Sequence, residues 1–391
     1  MRTLGPNGPV VSAIGFGTMG IGVWYGEAKT ETEALELIDA ALARGHTLID
    51  TSDVYGSAEA MVGKWLLKNP HRRSEIFLCS KFGACNLARS LQDDFVPESD
   101  PAYVKMALHR SLYMLKTDYI DLYYQHRVDP AVPIEVVLEA LREPVERGVI
   151  RYLGLSECSA DTLRRAKAVK GIGEKIVAIQ VEFSPFSLDI EKNELAATAK
   201  ELGVGIVAYA PLGRGLLSGK YRSRADFAEG DCRLFLPRWT EENFPKNLVL
   251  VDQMKAIADR LGITVSQLTL AWILAQDPHW IPIPGGMTVE HINENAGGAE
   301  ITLSPEDVAP IRELIDKADN GGERYPVELL VSDYKQPGDP VKGAQIIVDV
   351  ICGEGVAKDK PFPTNLQLGS DCHKVAKDAA ERTLKNLQDW E

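Results

Sequence analysis

The chain has 391 residues, 45% apolar and 25% charged. That is an ordinary globular mix, long enough for two or three average domains or for one large α/β barrel with additions. Its formal net charge of −13 argues against nucleic acid or an anionic membrane as the main partner.

Taken in chain order, eight β-type runs alternate with helix-period segments up to about residue 320. The first run lies near residues 11–19 and contains Gly15-Phe16-Gly17-Thr18-Met19-Gly20. Ala34, Leu37, Ile38 and Ala41 then recur at helical spacing and predict a helix over Thr32 to Arg44. The second run, 47–53, holds Asp50, and the third, 75–83, holds Lys81. A helix from Pro101 to Lys116 follows, with Asp100 as N-cap and Pro101 at the first helical position. The fourth run, 119–126, ends on His126. Runs at 149–157, 177–183 and 204–211 come next, and a helix over Leu195 to Leu202 stops before Gly203 as its C-cap. Helices over Leu248 to Leu261 and Val265 to Gln276 precede the eighth run, 280–285. Most runs are apolar almost throughout, the pattern of parallel strands buried on both faces. The expected fold is therefore an α/β (β/α)8 TIM barrel over residues 1–326. An open doubly wound sheet is the alternative, and Gly15 to Gly20 has the Gly-x-Gly-x-x-Gly spacing it would use. Residues 21–29 are loop-like, so no helix opens there and the dinucleotide-turn reading is rejected.

Six dispersed cysteines, Cys79, Cys85, Cys158, Cys232, Cys352 and Cys372, show no Cys-x-x-Cys spacing, so a zinc or redox motif is not expected and a reducing compartment is. The N-terminus lacks the pattern of a secretory signal, and no stretch approaches the roughly 18 apolar residues of a membrane helix. A cytoplasmic protein without a membrane partner is the expectation.

In a barrel, chemistry gathers at the C-terminal ends of the strands. Asp50, Lys81 and His126 end three successive runs, and Tyr55 follows Asp50 in the loop Asp50-Thr51-Ser52-Asp53-Val54-Tyr55-Gly56. Each residue alone has a structural reading: an ion pair, a satisfied core histidine, a packing aromatic. Together they suit carbonyl reduction. That reaction needs a hydride and a proton, and a free phenol, with a pKa of about 10, is a poor acid. A nearby ammonium stabilises the phenolate, a carboxylate holds the ammonium charged, and a histidine can bind the substrate oxygen. No histidine pair has ligand spacing, so no metal site is expected. Trp24, Tyr25 and Phe82 are candidates for an apolar substrate pocket.

These strings resemble the aldo-keto reductases. Asp-Thr-Ser-Asp-x-Tyr-Gly matches that family's tetrad signature, with Lys81 and His126 at the other two tetrad positions. The resemblance spans about residues 1–326. It is nearest to the bacterial and fungal branch that carries the Gly15 to Gly20 string, Tyr124-Gln125-His126-Arg127-Val128-Asp129-Pro130, and an ending like Gly322-Glu323-Arg324-Tyr325-Pro326. It implies reduction of an aldehyde or ketone with NADPH, and Tyr55 as general acid. Thr18, Met19 and Asp50 fall at cofactor-contacting positions. Ser156 and Gln180 match the nicotinamide carboxamide site, and Tyr209 the aromatic stacked on that ring. Ala210-Pro211-Leu212-Gly213-Arg214-Gly215 and Lys220 match the pyrophosphate loop. Gly285, Gly286, Met287, His291, Glu294 and Asn295 match the adenosine-phosphate segment.

Two departures stand out. Glu157 follows Ser156 where the family usually has Asn, and a carboxylate cannot donate to a carboxamide oxygen. Residues 286–291 contain no Lys or Arg to hold a 2′-phosphate, which leaves NADH open beside NADPH; Arg214, Lys220 and Arg238 are possible substitutes. From about residue 336 the sequence resembles the C-terminal end of short-chain dehydrogenases, without a Tyr-x-x-x-Lys pair, so residues 327–391 read as an extension. Family resemblance also admits a second role, a nucleotide-binding redox-sensing regulatory subunit like channel β-subunits.

Overall fold

A computed structural model describes residues 1–22, 28–87, 96–227 and 231–318. The extension beyond the barrel, including the short-chain-dehydrogenase resemblance and the Gly322 to Pro326 string, lies outside the described residues, as do Trp24 and Tyr25. Eight parallel strands form one sheet in chain order: β1 (Phe16–Gly17), β2 (Leu48–Asp50), β3 (Phe77–Phe82), β4 (Ile120–Gln125), β5 (Ile150–Ser156), β6 (Ile176–Glu182), β7 (Gly205–Tyr209) and β8 (Trp280–Pro282).

The sheet closes into a barrel where β1 meets the chain leaving β8. Gly15 N donates to Pro282 O at 3.0 Å, Gly17 N donates to Pro284 O at 3.1 Å, and Gly17 bridges Gly285 in parallel. A Cβ at Gly15 would lie 2.7 Å from the Leu48 side chain and 2.8 Å from that of Ile283; one at Gly17 would lie 3.0 Å from Ile283 O. These glycines let the first and last strands approach. The first expected run is split. Val10–Val11 leaves the barrel to pair antiparallel with Arg2–Thr3, and only Phe16–Gly17 enters the sheet. That hairpin covers the N-terminal end of the barrel, where Arg2 Nη1 donates to the carbonyls of Asp277 and Trp280.

The helices layered outside are α1 (Glu31–Ala43), α2 (Ala58–Lys68), α3 (Pro101–Leu115), α4 (Ile134–Glu146), α5 (Ala160–Ala168), α6 (Leu195–Glu201), α7 (Asn243–Leu261), α8 (Val265–Gln276), α9 (Val289–Gly297) and α10 (Pro305–Lys317). Their ends follow local chemistry. Thr30 caps α1 in a capping box with Glu33, Asp100 caps α3 by accepting from Ala102 N, and Thr264 caps α8 with Gln267. Such a cap stabilises a helix by about 1 kcal/mol. Gly203, with φ of 66°, turns the chain after α6.

Alternate residues of each strand face opposite ways. One set fills the barrel lumen with Leu48, Cys79, Leu122, Tyr124, Ala178, Val207 and Ile281. The other packs against the helices in the larger core, which includes Ile49, Leu78, Phe82, Tyr123, Ile179 and Val181. Phe82 belongs to this second set, fully buried and stacked on Tyr123 at 5.0 Å between ring centroids. The expectation that it lines a substrate pocket is therefore wrong: it is one residue out of phase with Lys81. Among the described residues no helix is long and apolar enough to cross a membrane.

Candidate active site

The same two-residue period assembles the site. Asp50 continues the lumen row of Leu48, Lys81 that of Cys79, Gln180 that of Ala178 and Tyr209 that of Val207. His126 sits just past β4, in phase with Leu122 and Tyr124. All five lie at the C-terminal ends of their strands, above the apolar plug.

Lys81 is fully buried, and its ammonium has three oxygen partners. Nζ donates to Asp50 Oδ1 at 2.5 Å, to Thr51 O at 2.7 Å and to Tyr55 Oη at 3.5 Å. It also lies 4.8 Å from the centre of the Tyr55 ring. Burial alone would disfavour its charge, but Asp50 and Tyr55 outweigh that, and the Lys81 pKa moves up from its ordinary value. The lysine stays protonated. Asp50 Oδ2 accepts from Gln180 Nε2 at 2.8 Å, so both carboxylate oxygens are engaged.

Tyr55 reaches this ammonium from the turn between β2 and α2. Tyr55 N donates to Ser52 O, and Ala58 N donates to Tyr55 O. The ring is half-buried and meets His126 edge-on at 5.8 Å between centroids. His126 is buried, its pKa pushed well below the ordinary histidine value first by burial, then by the Arg127 and Lys81 charges. It is therefore neutral at physiological pH, with one N–H.

The residues expected around a cofactor share this end of the barrel. Thr18 is fully buried after β1, its hydroxyl and N–H both bonded to Asp50 O, and Met19 opens a short helical turn. Ser156 ends β5, where its Oγ accepts from Arg127 Nη1 at 3.3 Å. Tyr209 ends β7. The loop after it is sharply turned: Ala210, Gly213, Arg214 and Gly215 all have positive φ, and Pro211 and Leu212 lie between them. Beyond β8, Gly285, Gly286 and Met287 lead into α9, whose cap Thr288 accepts from His291 N at 3.3 Å, while Asn295 Nδ2 donates back to Gly285 O at 3.1 Å. Glu294 sits on the same helix.

Both sequence departures acquire a structural context. Glu157 has φ of 52°, and its Oε1 accepts from Glu182 N at 2.9 Å, tying the end of β5 to β6. Cationic charge from elsewhere in the chain acts on the 286–291 segment. His291 has a pKa lowered first by burial and then by Lys220, with a smaller contribution from Lys29, and Lys220 also helps lower Glu290. Arg238, by contrast, is buried against Glu182 at 3.5 Å and donates to Phe186 O and Ser187 Oγ, so its charge is spent within the fold.

Sequence reasoning missed Ser52, Asp53 and Glu59. Ser52 Oγ lies 3.0 Å from His126 Nδ1 and 3.2 Å from Asp53 Oδ1, and Ser80 Oγ donates to Glu59 Oε1 at 2.6 Å. Ser52 and Asp53 stood in the quoted Asp50 to Gly56 string, but nothing in their spacing pointed at His126.

Comparison with known proteins identifies the family. The family model described as "Aldo/keto reductase family" matches residues 13–316. Aldo-keto reductase str7 of Strobilurus tenacellus is 46% identical over 325 residues, covering 81% of this chain and 92% of that protein. Aldo-keto reductase yakc [NADP(+)] of Schizosaccharomyces pombe is 46% identical over 320 residues, with the same coverage of 81% and 92%. Among solved structures, the holo form of aldo-keto reductase AKR11C1 from Bacillus halodurans superposes with a TM-score of 0.64 at 28% identity, covering 80% of this chain and 95% of that one. The chain belongs to the aldo/keto reductase family and is an oxidoreductase of the NAD(P)H-dependent kind.

Proposed function

We propose that this enzyme reduces small aldehydes or ketones to alcohols with NADPH, and that Tyr55 delivers the proton. One observation carries the reading: a fully buried ammonium, Lys81, lies 2.5 Å from Asp50 and 3.5 Å from Tyr55 Oη. As a proton leaves Tyr55 Oη for a carbonyl oxygen, negative charge builds on the phenol, and Lys81 is already placed to stabilise it. Asp50, itself held by Gln180, keeps the ammonium charged and aimed. His126, neutral beside Tyr55, holds the carbonyl oxygen by a hydrogen bond and so orients the substrate.

The residues fit a dinucleotide. Arg214 and Lys220 stand in the loop after β7, and the nine-residue α9 opens toward the same barrel end, its N-terminus suited to an anion. Ser156 and Gln180 would hold the carboxamide and Tyr209 the nicotinamide ring. The 210–215 loop would hold the pyrophosphate, and Gly285 to Met287 with His291, Glu294 and Asn295 the adenosine end. Bound there, NADPH supplies the hydride. The barrel is assigned to residues 1–326 and carries every residue named here.

The test is steady-state kinetics with NADPH and NADH over a panel of aldehydes and ketones, beside Tyr55→Phe. Loss of the acid should lower kcat by about 10²–10⁴. Near-normal turnover by the phenylalanine variant on its best substrate would refute Tyr55 as the donor.

A further inference from the structure

His126 has partners that the reaction scheme leaves unused. Its Nδ1 lies 3.0 Å from Ser52 Oγ, which lies 3.2 Å from Asp53 Oδ1. All three residues are buried, and Asp53 Oδ2 meets no hydrogen-bond partner among the described residues. Around Asp53 stand Glu59 of α2, Tyr103 and Arg110 of α3, Tyr123 of β4 and the Val54 amide of its own turn. Burial first, and then Glu59, push the Asp53 carboxyl up to about 7, against the opposing pull of Arg110, Ser52 and Val54. Glu59 is raised too, by burial, with Ser80, Ser111, Arg110 and Lys81 acting the other way. Around His126 the charges are Arg127 and Lys81, with Tyr55 alongside.

A serine hydroxyl donates one proton and accepts others. With Asp53 protonated, the carboxyl donates to Ser52 Oγ, Ser52 donates to His126 Nδ1, and the neutral imidazole carries its hydrogen on Nε2. With Asp53 ionised, Ser52 donates to the carboxylate, Oγ accepts from Nδ1–H, and Nε2 is left as an acceptor. The partner of one ring nitrogen thus decides which nitrogen holds the proton. We propose that Ser52 and Asp53 form a proton wire that sets the tautomer of His126, and that only the protonated wire lets Nε2 donate to a carbonyl oxygen. On ionisation the Asp53 proton moves to Ser52 Oγ, the Ser52 proton moves to Nδ1, and the Nε2 proton leaves to water in the cleft. One proton is released and no bond outside the wire changes. Ser52 and Asp53 are positioning residues, since they act through His126. This inference rests on the proposed role of His126 in holding the carbonyl.

The experiment uses the full chain with ¹⁵N-labelled histidine, whose two ring nitrogens report the tautomer directly by NMR. His126 is identified by the signals missing from His126→Gln. Between about pH 5.5 and about pH 9 the wild type should pass from Nε2–H to Nδ1–H. Over the same range kcat/KM for reduction should fall about tenfold per pH unit above the midpoint. Ser52→Thr keeps the hydroxyl and should keep the switch. Asp53→Asn offers an amide donor at every pH and should hold Nε2–H throughout, abolishing the fall in kcat/KM near neutrality. A wild-type tautomer that does not change with pH, or a switch that survives in Asp53→Asn, would overturn the wire. A switch seen by NMR with kcat/KM indifferent to it would support the wire and remove His126 as the carbonyl's holder.

Discussion

A lysine ammonium inside a barrel lumen is costly unless its charge is matched, and Lys81 is matched by Asp50, the Thr51 carbonyl and Tyr55. Removing one partner of such a pair costs about 3–5 kcal/mol, because the other is left buried and uncompensated. Stability and chemistry are therefore tied together at this residue. Asp53 shows the opposite balance: only 3% exposed, it has no cation within hydrogen-bond reach among the described residues, and its carboxyl rises from 3.8 to about 7. An acid that is harder to ionise when folded destabilises the fold as pH rises from the unfolded value toward the folded one, and the full cost is present above about 7. Asp53→Asn cannot ionise and escapes that cost. Its melting temperature should exceed the wild type's by about 2–4 °C or more at a pH above neutrality, with the gap closing as pH falls toward the ordinary carboxylate range. Equal melting curves at both ends of that range would contradict the assignment.

At the scale of elements, the two-residue period of the strands separates function from packing. Lys81 and Phe82 are neighbours in β3, yet one faces the lumen and the other the helices. A short, almost wholly apolar run carries no sign of which parity faces inward, which is why Phe82 could be mistaken for a pocket residue. Connections matter as much as strands. A Cβ at Gly22 would stand 1.9 Å from Tyr55 O, so the short helix Met19–Gly22 seats the turn that presents Tyr55 by direct backbone contact. Gly22→Ala should shift that turn and lower kcat by about ten- to a hundredfold, with a smaller change in KM for the cofactor. Unchanged kinetics together with unchanged stability would mean that the turn gives way without moving the phenol.

Across the whole molecule, the loop after β7 and the start of α9 converge from about seventy residues apart. Lys220 thereby acts on His291 and Glu290, in a segment whose own sequence has no Lys or Arg. If it completes the 2′-phosphate site, Lys220→Ala should raise KM for NADPH by about tenfold or more while leaving KM for NADH nearly unchanged, since a charge-assisted hydrogen bond is lost only with the phosphate. An equal effect on both cofactors would assign Lys220 to the pyrophosphate alone. Every residue of the proposed site lies before residue 319, and the family match ends at residue 316. Deleting residues 331–391 should accordingly leave kcat and KM within about twofold, a result that steady-state rates of the truncated chain would check. A loss of turnover would bring the extension into the working enzyme.

The barrel, its strand runs and the positions of Asp50, Lys81 and His126 were legible because buried parallel strands leave long apolar runs, and a polar or charged residue ending such a run stands out against them. Tyr55, in the loop after Asp50, was legible through the chemistry a proton donor needs and the string it shares with the family. Helix ends at Asp100 and Gly203 follow from local capping chemistry, which a linear sequence carries in full. What only the tertiary structure decided depends on groups distant along the chain. It closed the barrel at Gly15 and Gly17 against the chain after β8, brought Lys220 to α9 and turned Phe82 into the core. It also set Ser52 and Asp53 behind His126. Those contacts are fixed by strand parity and by close approach of backbones, and neither leaves a trace in residue spacing.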